Sequence, residues 1–234
     1  MRKNILSAVL LALFVGVLTV SAAPTCASLV TASGINVLSI NGLGGCTVGN
    51  LLFSNFQVSN ASAGTGTAEI DLTQNGVSIA GSTIGLNFNP NLGFATTGGT
   101  ITDLHFSFTV TGGLIGAGLD NTNSINSSIN ELACTGSSST SGCTAPILWN
   151  TVDASGQASQ CIGSTASGNG FTGVCSWGGG QPTVNFFKDI SIGDPSTSHN
   201  TSFTETFITP EPVTLSLMGF GLLGLGLMSR RLRK

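Results

Sequence analysis

Two histidines, ten acidic residues and six cysteines are the side chains of this 234-residue sequence whose types could do chemistry. A hydrolase would need a histidine beside a serine and a carboxylate, or two carboxylates flanking a glycosidic bond. His105 stands on the polar side of the alternating run "LHFSFTV", and His199 lies in the loop-like "STSHNTS" with no neighbouring acid or cysteine. No G-x-S-x-G nucleophile elbow is present among the many serines. Glu69 and Asp71 would share one strand face, a spacing that also simply keeps an exposed face soluble. "DASGQ" at Asp153 lacks the further acidic ligands of a calcium loop. The cysteines show no C-x-x-C, so they do not point to zinc. "GFGLLG", Gly219 to Gly224, matches G-x-G-x-x-G but lies in an apolar run without a βαβ unit to give it meaning. The expectation is a protein with no catalytic residues, no metal and no cofactor.

The cysteines read better as structural. "MRKNILSAVLLALFVGVLTVSAA" has the basic start, apolar middle and small-residue exit of a secretory signal peptide over residues 1–23, with cleavage after Ala22 or Ala23. All six cysteines follow it: Cys26, Cys46, Cys134, Cys143, Cys161 and Cys175. An even number in an exported chain implies disulfides, and the sequence-local pairing is Cys26–Cys46, Cys134–Cys143 and Cys161–Cys175.

What must position these groups is a β-rich body over 24–209. Charged residues make up 7% of the chain, there are 33 glycines, and Ser, Thr and Asn abound, a composition that favours strands and turns over helices. "ITDLHFSFTVTGG" alternates Leu104, Phe106, Phe108 and Val110 with polar residues, and Gly112-Gly113 is expected to end that strand. "VNFFKDISIGD" puts Val184, Phe186, Ile190 and Ile192 on one face, with Lys188 interrupting it, which suggests an edge or a bulge. "TSFTETF" places Phe203 and Phe207 on one side with Glu205 between them. "GINVLSI", "NLLFSNFQV", "TAEIDLTQNGVSI" and "STIGLNFN" read as further strands, with a hairpin turn at Asn75-Gly76. The expected fold is an all-β antiparallel sandwich, jelly-roll-like, with no amphipathic helix. Residues 134–181, rich in Cys, Gly and Ser, are expected to form a disulfide-stapled loop insertion. Trp149 and Trp177 there are either core residues or ligand platforms.

Charge is concentrated at the ends. Between Pro24 and Thr209 the sole cation is Lys188, against nine acids, so the body should repel nucleic acid. The tail runs Pro210-Glu211-Pro212, then sixteen uncharged residues from Val213 to Met228, then Arg230, Arg231, Arg233 and Lys234. As a helix over 213–229 it would be a short membrane spanner, with the basic end as a cytoplasmic stop.

This order of elements resembles a PEP-CTERM sorting signal over 210–234. The resemblance implies a Gram-negative host and an exosortase-type enzyme that recognises Pro210-Glu211-Pro212 and cuts near it. It further implies transient anchoring in the inner membrane, then release to the surface, often alongside exopolysaccharide production. Such proteins share a tail and not an activity. The body is therefore expected to be a structural or adhesive surface or matrix protein, not an enzyme; the alternatives are a secreted carbohydrate-binding module and a secreted hydrolase.

Overall fold

The computed structural model describes residues 22–62, 67–90, 92, 95–96, 99–125, 127–135, 146–152, 174–192 and 199–210. Residues 1–21 of the signal peptide and the tail beyond Pro210 lie outside them, as does much of 134–181. Among the described residues no helix is long and apolar enough to cross a membrane.

In chain order the elements are α1 (Cys26–Leu29), β1 (Ile35–Asn36), α2 (Val37–Asn41), β2 (Cys46–Val48), β3 (Leu51–Asn60), β4 (Asp71–Ala80), β5 (Thr83–Asn89), β6 (Ala95–Thr96), β7 (Gly99–Thr100), β8 (Asp103–Ile125), β9 (Ser127–Cys134), β10 (Pro146–Val152), β11 (Val174–Ile192) and β12 (His199–Ile208). All pairings between these strands are antiparallel. The long β8 organises the fold. Its first half pairs with β3 and β11, and β11 continues through β9 to β10; its second half pairs with β12, which continues through β5 and β4 to β1. The two halves contribute to opposite layers of a sandwich.

The core between the layers is aliphatic, with a cluster of phenylalanine rings at its centre. Alternation along β8 buries Leu104, Phe106, Phe108 and Val110. Across the layers Phe88 of β5 meets Phe106 with ring centroids 5.2 Å apart, and Phe207 of β12 meets Phe53 of β3 at 4.9 Å. Edge-on and offset contacts of this kind add to what area burial alone supplies.

Three turn signals act inside strands. Gly112-Gly113 bends β8 without ending it: one extra residue enters the register with β11, and both glycines take positive φ. A Cβ on Gly112 would lie 2.4 Å from the Asn50 carbonyl oxygen, so only glycine fits there. Asn75-Gly76 is likewise a bulge within β4, with Asn75 at φ 58, and the β4–β5 hairpin turns instead at Gly81-Ser82. Positive φ is demanded by bulges and by turns alike, so the dipeptide marked the geometry and not the place. Asn55 at φ 54 makes a third bulge in β3, which is why Phe53 and Phe56, three apart, both point inward.

"GINVLSI" is not one strand. Asn36 ends β1 and caps α2, its side-chain oxygen accepting from Leu38 N–H at 2.9 Å, and the turn that follows buries Val37 and Ile40. His199 belongs to β12 and not to a loop. Within 134–181 two pieces are strand, Pro146–Val152 and the start of β11, and the first forms an outer strand on β9.

The Cys26–Cys46 disulfide forms as expected and ties α1 to β2. Cys134 is also disulfide-bonded; the pairing among Cys134, Cys143, Cys161 and Cys175 lies outside the described residues. Replacing Cys26 and Cys46 together by alanine should lower stability by about 3 kcal/mol, the loop-closure value for a ring of this size. Urea unfolding of the variant beside the parent checks it.

Candidate functional site

The outward residues of β3, β8 and β11 form a shallow polar face on one layer. The same alternation that buries Phe106 and Phe108 turns Ser107 and Thr109 outward, beside Asn185 and Phe187 of β11. These residues, with Asn55, Phe56 and Gln57 of β3, Phe108 of β8 and Asn41 of α2, line a cleft of about 330 Å³. Such a volume is at the small end of ligand sites.

Hydrogen bonds fix its walls. At the β3 bulge the Asn41 side chain acts as a substitute strand: its Nδ2 donates to the Phe56 carbonyl at 2.7 Å and its Oδ1 accepts from Phe56 N–H at 2.9 Å. Asn55 Nδ2 donates to Thr109 Oγ1 at 3.3 Å, and Thr109 Oγ1 donates to Asn185 Oδ1 at 2.7 Å. Gln57 stands exposed at the opening. Amides and hydroxyls beside aromatic rings can exchange hydrogen bonds with a polyol and pack against its C–H faces. Among the described residues that line it there is no titratable group.

One same-face step along β8 and β11, about 7 Å away, lies a second group. His105 is opposite Asp189, with Nε2 4.0 Å from Oδ1, and Asp103 completes a set whose ligand atoms lie within 4.8 Å of one another. Oδ1 of Asp103 and of Asp189 has no hydrogen-bond donor. Burial first, and the adjoining Asp103 carboxyl second, push Asp189 above the ordinary carboxylate range. Because the folded-state value is raised, protonation favours the fold, and this contribution is lost as pH rises through that raised value. Asp189→Asn should therefore flatten the fall in stability between the ordinary carboxylate pKa and neutrality, read as melting temperature against pH.

A third group is internal. Lys188 is not at an edge and not in a bulge. It sits mid-strand in β11 between Phe106 of β8 and Glu131 of β9, with its side chain fully buried. Its Nζ donates to Glu131 Oε2 and to Glu205 Oε2, both of those side chains also fully buried. The rings of Phe108, Phe186 and Phe203 surround it at 5.8, 5.9 and 5.7 Å. Burial, then Glu131, push Glu205 well above the ordinary range, against the opposing pull of Lys188. For Lys188, burial acts downward and is outweighed by the two glutamates, which raise it.

Of the acids weighed from sequence, Asp71 is held up by burial and then by Glu69, and among the described residues no histidine is grouped with that pair. His105 faces outward as its alternation implied. Trp149 lies in β10 opposite Leu132, and Trp177 in β11; their side chains lie outside the described residues. Pro210 is exposed just past β12, while Glu211, Pro212 and Arg230 to Lys234 lie outside the described residues. Glu131 escaped the sequence reading, although "SINELAC" places it in alternation with Ile129 and Ala133, both buried.

No protein-family model matches the chain, and no curated protein does. Among solved structures it is similar to the K1 cleaved adhesin domain of Lys-gingipain from Porphyromonas gingivalis W83, at 12% identity and TM-score 0.31, covering 70% of this chain and 100% of that one. The K2 domain gives 11% and 0.33, covering 66% and 90%. TmCBM61 in complex with β-1,4-galactotriose gives 10% and 0.25, covering 67% and 88%. Likenesses this distant carry no functional weight.

Proposed function

We propose that this is an exported, non-enzymatic surface or extracellular-matrix protein of a Gram-negative bacterium, whose β-sandwich binds a neutral segment of exopolysaccharide. The observation that carries this is the cleft of amides, hydroxyls and phenylalanine at Asn41, Asn55, Gln57, Thr109, Asn185 and Phe187. Its chemistry suits sugar hydroxyls and lacks the charged pair that would cleave a glycosidic bond. The body's one cation is buried, so its surface gives an anionic polymer nothing to pair with and favours an uncharged glycan.

Delivery is the part of the proposal that rests on the tail. Pro210-Glu211-Pro212, the apolar stretch and Arg230, Arg231, Arg233 and Lys234 would tether the chain in the inner membrane until an exosortase-type enzyme cuts it. The mature form would then lack Val213 to Lys234, which intact-mass measurement on protein from the host would register.

Retention on the host's neutral polysaccharide tests the binding. Saturable binding is expected, weakened about tenfold by Gln57→Ala or by Asn185→Ala, the effect of losing one hydrogen bond of about 1.4 kcal/mol. Equal retention of parent and variants would count against the cleft. Turnover of the glycan would replace the binding reading by an enzymatic one.

A further inference from the structure

A lysine and two glutamates buried together in a phenylalanine core are a costly arrangement unless something is made of them. Three strands converge to build it. Lys188 and Glu131 are direct cross-strand neighbours of β11 and β9, so their side chains leave the same face side by side. Glu205 arrives on β12 from the opposite layer and touches Lys188. Glu131 Oε1 and Glu205 Oε1 have no hydrogen-bond donor.

We propose that the folded chain joins Lys188 to Glu131 through an intramolecular amide bond between Nζ and Cδ, with Glu205 relaying the proton. The ammonium–carboxylate–carboxylic acid form of the cluster carries as many protons as the amine–acid–acid form, so the reactive form needs only transfer within the cluster. The Lys188 amine then attacks Cδ of protonated Glu131. The N–C bond forms, the Cδ–OH bond breaks, and the hydroxyl departs as water with a proton from Glu205, which recovers one from the nitrogen. An amine and a carboxylic acid become an amide and water, with no redox change and no co-reactant.

The surroundings suit each requirement. Register holds amine and carboxyl together, which removes the entropy of bringing them into contact. Burial and Glu131 push Glu205 well above the ordinary carboxylate range, the direction a proton relay needs. The product replaces an ion pair in a dry core by a neutral amide, and Phe108, Phe186 and Phe203 shield it from hydrolysis. The bond would close a loop across a sequence separation of 57 residues and tie β9 to β11 through any unfolding.

The sequence supplies its own assay, because Lys188 is the only lysine or arginine between Lys3 and Arg230. Trypsin acting on the denatured, reduced full chain should leave 4–230 uncut and one water lighter than its sequence, with fragmentation linking Lys188 to Glu131. Cleavage after Lys188 at full sequence mass, from protein that was folded beforehand, overturns the proposal. A link mapped to Glu205 overturns the choice of Glu131. Glu205→Gln is expected to leave Lys188 cleavable; complete cross-linking in that variant overturns the relay. Glycan retention plays no part in these readouts, so this bond and the cleft stand or fall separately.

Discussion

Replacing Lys188 by alanine will destabilise the fold by about 3–5 kcal/mol, because it strands two buried carboxyl groups without their counter-charge. Protonation is the only relief left to Glu131 and Glu205 in that variant. Its stability should therefore recover as pH falls towards the ordinary carboxylate range and drain away as pH rises through the raised Glu205 value. Urea midpoints at several pH values show this directly. The companion replacement, Lys188→Met with Glu131→Leu and Glu205→Leu, fills the same volume with apolar groups and should recover most of the loss seen in Lys188→Ala. A large loss in the triple variant, with the loss in Lys188→Ala small, would mean that the cluster is not what holds these strands together.

Phe108→Ala is expected to cost about 3–5 kcal/mol by opening a cavity where the rings converge. Phe108 meets Phe56 at 5.8 Å, Phe88 at 5.9 Å, Phe106 at 5.2 Å, Phe186 at 5.2 Å and Phe207 at 6.0 Å, so four strands besides its own lose a partner. Phe108→Leu, which keeps part of the volume, should lose less stability. Parallel urea titrations of the two variants check this.

Much of the strand order was legible because alternation survives wherever one face is buried. β5 and the first half of β8 announce themselves by Ile, Leu, Phe or Val at every second position. Misreadings arose where one residue type serves two geometries. Gly112-Gly113 and Asn75 have the positive φ of a turn, but whether a strand stops or bulges there is decided by its neighbours. "GINVLSI" has strand-like composition, yet the Asn36 cap and the need to seat Val37 and Ile40 turn it into a helical turn.

The cluster shows the limit most clearly. Lys188, Glu131 and Glu205 each break the apolar face of their own strand, and one strand at a time that pattern suggests exposure. Only the register of β9 with β11, and the crossing of β12 from the other layer, bring the opposite charges together. The cleft was hidden for the same reason: Asn55, Gln57, Thr109 and Asn185 are ordinary polar residues until β3, β8 and β11 align them. Sequence therefore drew attention to Trp149 and Trp177, which are conspicuous by type.

The most direct measurement of the central claim is a chemical-shift titration of the isotope-labelled body with neutral oligosaccharides released from the host's exopolysaccharide. Shifts that saturate and cluster at Asn41, Asn55, Gln57, Ser107, Thr109 and Asn185, with the oligosaccharide unchanged throughout, are the predicted result. Shifts confined to another surface, or a glycan that shortens during the titration, would contradict it.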